Sequence, residues 1–222
     1  MNFVVLLSGG LDSTVNLYEA HRAGNVKLAL TFDYSQRAVN PEIATAKRLC
    51  SLLNVPHKVV KLSFFEDLGQ SSLVDKSQNV PTGADISMDD LKQSHKTAQS
   101  VWVPNRNGIF MNIAAGFAES LAADTVVPGF NLEEAATFPD NSEDFLKALN
   151  GSLKYSTQQK VKTHCFTTHL SKTQIVKRGL ELGVPFELIW PCYFSEEHWC
   201  GKCESCQRSR RAFEANGLEL FK

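Results

Sequence analysis

Ser8, Gly9, Gly10, Asp12, Ser13 and Thr14 stand together in SGGLDST, a turn with two glycines, three hydroxyls and one carboxylate directly after the apolar run Phe3–Leu7. A glycine-rich turn between a strand and a helix exposes backbone N–H groups beside the positive end of the helix, and that combination holds phosphate. Two common phosphate loops are excluded by spelling: the chain has no G-x-x-x-x-G-K-[ST] and no G-x-G-x-x-G. The competing reading is a plain tight turn with Asp12 as a helix cap. The second cluster is Cys192, Cys200, Cys203 and Cys206, spaced C-x7-C-x2-C-x2-C. Two residues between cysteines let neighbouring thiolates turn toward one tetrahedral ion, and four thiolates close a zinc site with no position left for water. A redox dithiol, an iron–sulfur cluster and the exchange of one cysteine for His198 stay open as alternatives.

These clusters need elements to position them. Short β-rich runs alternate with helical patterns, which predicts a parallel sheet flanked by helices. Strands are expected at Phe3–Leu7, Lys27–Tyr34, Lys58–Leu62, Thr125–Gly129 and Lys160–Phe166, the last carrying a packed Cys165. Helices are expected over Asp12–Ala23 with Gly24 as the stop, from Asn40–Pro41 onward with Ala46, Leu49, Cys50 and Leu53 facing the core, and over Ser142–Leu153. Phe110, Ile113, Ala114, Phe117, Ala118 and Leu121 form the clearest helical stripe. Ser171 and Gln174 spell a capping box for a helix that Gly183 stops, and a last helix is expected over Cys203–Ala215. Gly69–Ser100 is polar and aperiodic and reads as a mobile excursion.

Composition bounds the function. The 222 residues are 43% hydrophobic, enough for a real core, and the net charge of −1 gives no overall basic field. Arg208, Arg210 and Arg211 read as a solvated helix face, so no nucleic-acid partner is expected. No run is long enough for a membrane span or a signal peptide, which with the thiol cluster predicts a cytoplasmic address.

SGGLDST resembles the pyrophosphate loop of the ATP pyrophosphatases, the adenylating family that includes NAD synthetase, asparagine synthetase and the tRNA thiolation enzymes. With VPNRN (103–107), LSKTQIV (170–176) and LGVPFELIWPCYFSEEHWCGKCESCQRSRRAF (182–213), the chain resembles more narrowly the QueC family of queuosine biosynthesis, the 7-cyano-7-deazaguanine synthases. The resemblance implies an adenine nucleotide α-hydrolase-like fold, Rossmann-like, over 1–190, with a zinc-binding helical tail over 191–222, and a homodimer. It implies ATP on Leu7, Ser8, Gly9, Gly10, Leu11, Asp12, Ser13, Thr14 and Leu17. There the hydroxyls would hold the leaving pyrophosphate and Asp12 would hold Mg²⁺ against it. Lys172 matches the family's lysine and would neutralise phosphate charge in the transition state. The implied substrates are a deazaguanine carboxylate and free ammonia, with the carboxylate activated as an adenylate, converted to the amide, and activated again to give the nitrile.

Asp33, Tyr34 and Arg37 end the second strand, where doubly wound sheets bind ligands. Arg106 and Asn107 open the long core helix, and these five are candidate substrate contacts with Phe138 and Asp140. One departure stands out. Where the family carries a stretch close to Asp-Tyr-Ser-Gly-Tyr-Pro-Asp-Cys-Arg, this chain keeps Phe138-Pro139-Asp140 and has Asn141-Ser142 in place of Cys-Arg. The missing arginine removes a candidate carboxylate clamp. Either another Lys or Arg compensates, or the chain acts on a different deazapurine or a larger acceptor such as tRNA. A nucleotide-binding sensor is the non-enzymatic alternative.

Overall fold

In the computed structural model, which describes residues 1–69, 71–87 and 90–220, five strands form one all-parallel sheet. They are β1 (Asn2–Leu6), β2 (Asn25–Asp33), β3 (His57–Lys61), β4 (Thr125–Val127) and β5 (Lys162–Thr163), in the order β3-β2-β1-β4-β5. The chain begins at the centre of the sheet, winds outward to β3, then returns past β1 to build the other half. Strand order therefore reverses between β1 and β4, and a crevice opens at their carboxyl ends, the usual ligand position in such sheets.

Among the described residues eight α-helices accompany the sheet: α1 (Leu11–Ala23), α2 (Val39–Leu53), α3 (Leu91–Val101), α4 (Arg106–Ser120), α5 (Leu132–Ala135), α6 (Glu143–Ser156), α7 (Lys172–Glu181) and α8 (Glu204–Glu214). On one face Val4, Leu30 and Phe32 pack against Met111 and Ala114 of α4 and Leu149 of α6. On the other, Phe3 and Val5 meet Leu17 of α1 with Leu49 and Cys50 of α2. A third cluster joins Leu11 and Val15 of α1, Ile175 and Val176 of α7 and Phe213 of α8. The tail helix thus shares a core with the helix that follows the glycine turn. Phe213 is fully buried there, and a buried side chain of that size contributes roughly 2–3 kcal/mol.

Several expectations shift. The second helix starts at Val39 after Ala38, with no side-chain cap, so Asn40 lies within its first turn. On α4, Met111 and Ala115 are buried while Leu121, the residue after the helix, is 39% exposed; the buried arc is wider than one stripe and ends before Leu121. The last strand shrinks to Lys162–Thr163, and Cys165 packs in the loop after it, accepting a hydrogen bond from the Phe130 N–H.

The 69–100 segment closes with α3, capped by the Asp90 carboxylate, which accepts from the N–H groups of Lys92 and Gln93. It is tied down by polar contacts that periodicity does not register. Arg37 donates to the carbonyls of Ser72, Asp75 and Gln78, and Gly83 N–H donates to Lys202 O in the tail. Positions 70, 88 and 89 of that segment, and 221–222 of the tail, lie outside the described residues. Arg208 corrects the solvated-face reading: it is 8% exposed and ion-paired to Glu204 and Glu133.

Candidate active site

The turn after β1 is shaped by close approaches. Gly9 has φ +79°, and a Cβ there would stand 2.7 Å from Thr45 Cγ2 of α2, so only glycine fits. Its carbonyl accepts the Trp190 N–H at 2.8 Å, which ties the entry of the cysteine tail to the turn. A Cβ on Gly129, just past β4, would fall 2.6 Å from the Ser13 backbone, so β4 ends pressed against the start of α1. Within the turn Ser8 Oγ and Ser13 Oγ lie 3.0 Å apart. The residue before α1, Gly10, offers no side-chain cap, and Asp12 does not cap the helix. The first turn of α1, whose Leu11, Asp12 and Ser13 line the cavity, therefore has no side-chain cap competing for its amides, as an anion site requires.

Asp12 instead reaches across to α7. The Lys172 ammonium lies 2.7 Å from Asp12 Oδ2 and 2.8 Å from Glu134 Oε1, with the Lys172 side chain 4% exposed. The capping box of Ser171 and Gln174 fixes the start of α7, and Glu133 accepts the Lys172 backbone N–H. Burial alone opposes charge on Lys172, but the two carboxylates outweigh it and hold the ammonium above its ordinary range. For Glu134 burial is likewise outweighed, by Lys172, and its carboxyl is held down. For Asp12 burial wins over Lys172, and the neighbouring Glu134 adds to it, so its carboxyl is pushed up. Asp12 Oδ1 is buried with no hydrogen-bond partner. An orphaned carboxylate oxygen beside a second carboxylate fits a hard divalent cation.

A cavity of about 250 Å³ runs from this cluster along the carboxyl ends of β1 and β2 to the tail. Leu7, Ser8, Gly10, Leu11, Asp12, Ser13 and Lys172 line it, and so do Tyr34, Arg37, Arg106, Asn107 and Phe138. Thr14 and Leu17 are fully buried and do not line it. Asp33 accepts the Ser35 N–H, and Arg37 spends donors on the 69–100 segment.

Arg106, at the first position of α4, is differently placed. Its guanidinium lies 3.3 Å from the Tyr34 hydroxyl and 3.4 Å from Asn107 Oδ1, with no carboxylate in ion-pair range among the described residues. Asn107 in turn donates to the Asp140 carbonyl at 3.4 Å. Burial pushes the Asp140 carboxyl up against the pull of Arg106. Phe138 lies parallel to Trp102, ring centroids 6.2 Å apart.

Sequence reasoning missed Glu134, Glu133, Glu42 and Glu204, and read Arg208 as solvated rather than paired. The Glu133-Glu134 pair had a signal, standing just past the end of β4 where ligands bind; a charged pair one turn apart on α8 had none.

The tail folds around its thiols. The sulfurs of Cys192, Cys200, Cys203 and Cys206 all lie within 4.8 Å of one another, and those of Cys200 and Cys206 are 3.9 Å apart. Ligands about 2.3 Å from a tetrahedral ion stand at such separations. Backbone N–H groups of Phe194 and Cys200 point at Cys192 Sγ, and those of Lys202 and Cys203 at Cys200 Sγ. Donors aimed at sulfur favour the thiolate, so the cluster is compatible with a bound metal. Cys203 precedes α8, whose Glu204 and Arg208 then project onto the cavity wall.

Sheet order, glycine turn and crevice define a doubly wound, Rossmann-like α/β fold with its ligand crevice where the strand order reverses. Two solved structures share it: NMN synthetase from Francisella tularensis (TM-score 0.51, 16% identity, 98% of this chain and 77% of that one), and a 4-thiouridine synthetase in complex with RNA and bound ATP (TM-score 0.52, 19% identity, 84% and 42%). The family described as "Queuosine biosynthesis protein QueC" matches residues 2–217, and the chain belongs to it. Similar relatives are the 7-cyano-7-deazaguanine synthases of Bdellovibrio bacteriovorus, 56% identical over 98% of this chain and 94% of the relative, and of Desulforamulus reducens, 51% identical over 99% and 96%.

Proposed function

We propose that this chain converts 7-carboxy-7-deazaguanine and ammonia to 7-cyano-7-deazaguanine at the expense of two ATP. The observation that carries the reading is the Asp12–Lys172–Glu134 cluster set against the uncapped start of α1, in a chain about half identical to synthases of that name.

A carboxylate is a poor electrophile until one oxygen becomes a leaving group. In the proposed first step a substrate carboxylate oxygen attacks the α-phosphorus, an O–P bond forms, and the bond to the β,γ-pyrophosphate breaks. The Ser8 and Ser13 hydroxyls and the amides after Gly10 hold the departing pyrophosphate, and Lys172 balances its charge. Asp12 and Glu134 would hold Mg²⁺, which supplies Lewis-acid neutralisation of the same oxygens. Ammonia then adds to the acyl carbon, loses a proton and expels AMP, leaving the amide. The amide oxygen attacks a second ATP, and loss of AMP with two N–H protons gives the nitrile.

Arg106 takes the carboxylate-clamp role that Asn141-Ser142 cannot fill: it faces the cavity with no carboxylate of its own. Tyr34, Asn107 and Phe138 complete the deazaguanine side. The four cysteines hold Zn²⁺ and pin the tail, 191–222, to the adenylating domain, 1–190. Among the described residues no helix is long and apolar enough to cross a membrane, and the reading extends to a cytoplasmic homodimer using free ammonia.

The test is mass spectrometry of products from 7-carboxy-7-deazaguanine, ATP, Mg²⁺ and ammonium, with AMP counted. The expected result is the nitrile with two AMP per turnover. AMP formation that ignores the deazaguanine would overturn the reading.

A further inference from the structure

The turn, the lysine and the metal carboxylates all act on phosphate. None of them removes a proton from nitrogen, yet nitrogen loses one proton as the amide forms and two more as the nitrile forms. Glu42, in the first turn of α2, is placed for that task. Its carboxylate lines the same cavity, and its backbone carbonyl lies beside Gly9 of the phosphate turn. Gln36, itself 4% exposed, fixes it: Nε2 donates to Glu42 Oε2 at 2.7 Å and to Phe32 O at 3.0 Å, while Oε1 accepts the Tyr34 N–H at 3.0 Å. Among the described residues, Oε1 of Glu42 takes no protein donor. The ionisable groups that act on this carboxylate are Arg106 of α4 and Tyr34 at the end of β2. Arg106 is the proposed carboxylate clamp, so Glu42 lines the cavity that the phosphate turn and the clamp share, with its backbone beside the turn and its carboxylate under the influence of the clamp.

We infer that Glu42 is the general base that accepts the nitrogen protons in both halves of the reaction. The inference rests on the synthase reading above and adds a residue to it. When ammonia adds, the N–C bond forms, the C–O bond to AMP breaks, and Glu42 takes the proton from nitrogen. When the amide oxygen is adenylated, Glu42 takes one N–H proton to leave the neutral imidate and passes it to solvent through the cavity; it then takes the other as the second C–N π bond forms, the C–O bond breaks and AMP leaves, and passes that proton on as well. Burial raises its carboxyl to about 7, against the hydrogen bond from Gln36 and the charge of Arg106. A base poised near the working pH is the most effective kind.

Glu42→Gln is the test, since an amide keeps the shape and can still accept from Gln36. Three readouts are taken on one preparation: deazaguanine-dependent ATP–pyrophosphate exchange, single-turnover amide formation at fixed free ammonia from about pH 6 to 9, and hydroxamate formation with hydroxylamine. In the wild type, amide formation should rise through about pH 7. In the variant, exchange should stay within a few-fold while amide formation falls on the order of a hundredfold and loses that rise. Hydroxylamine, unprotonated near neutrality and more nucleophilic, should recover most of the wild-type rate. Glu42→Asp should retain intermediate activity and the pH-dependent limb. Wild-type amide formation in Glu42→Gln overturns the inference, and so does loss of exchange together with amide, which marks a binding role. Absence of exchange in the wild type would instead sink the synthase reading, and this inference with it.

Discussion

The Lys172 ammonium lies 2.7 Å from Asp12 Oδ2, joining residues 160 positions apart across the mouth of the sheet. The contact places a cation at the phosphate turn and a carboxylate at the start of α7. Asp12 is thereby 13% exposed rather than solvent-facing, and the consequences for its replacement differ for folding and for catalysis.

Asp12→Asn should fold and fail to turn over. Burial works against the Asp12 charge while Lys172 supports it, so the amide removes a buried charge and one ion pair together, keeps the shape of the side chain and leaves Lys172 paired with Glu134. The melting temperature should stay level or rise by a few degrees, whereas deazaguanine-dependent AMP formation should fall on the order of a hundredfold or more. Near-normal AMP formation would remove Asp12 from the mechanism.

Arg106→Gln should raise the KM for 7-carboxy-7-deazaguanine roughly 10- to 100-fold, the worth of a charge-assisted hydrogen bond of about 1.5–3 kcal/mol. KM for ATP should change little. Steady-state kinetics at saturating ammonium separate the two, and a rise in the ATP constant instead would reassign Arg106 to the phosphates.

Purified protein should carry about one zinc per chain and no iron chromophore. Cys203→Ser should lose the metal and melt about ten degrees lower or more, because Cys203 is fully buried and binding energy there is folding energy. A closed thiolate site does no chemistry, which by itself predicts activity in step with the folded fraction. With α8 presenting Glu204 and Arg208 to the cavity, activity should fall below that fraction. Elemental analysis, melting and AMP formation on one sample check all three, and retained zinc in the variant refutes the ligand assignment.

Glu42→Gln should change the pH dependence of stability. A carboxyl raised from 4.5 to about 7 in the fold binds more protons folded than unfolded, so stability falls as pH rises between those values and stays lowered above them. At roughly 1.4 kcal/mol per pH unit, the ionised group costs up to about 3 kcal/mol. Glu42→Gln should melt higher than the wild type at about pH 8, with the gap closing below about pH 4.5. An equal gap at both pH values would show that Glu42 is not raised.

The fold class, the glycine turn, the capping box at Ser171 and the four thiols were all legible along the chain. Each rests on local chemistry: hydrophobic alternation, a backbone freedom only glycine has, a hydroxyl three residues before an amide, a two-residue ligand spacing. The rest depended on the winding of the sheet. Because strand order reverses between β1 and β4, the ends of β1, β2 and β4 and the start of α7 converge. That convergence set Lys172 against Asp12, recruited Glu134 from a four-residue helix, and turned Arg208 from a presumed solvated face into a buried ion pair. The same geometry set Glu42 on the cavity wall and spent the donors of Arg37, which lines the same cavity, on the 69–100 segment. A pattern with period two or 3.6 reports which face of an element is apolar. It carries no term for which charges the far ends of separate elements bring within 3 Å, and that meeting, decided by topology and packing, is where the proposed chemistry lies.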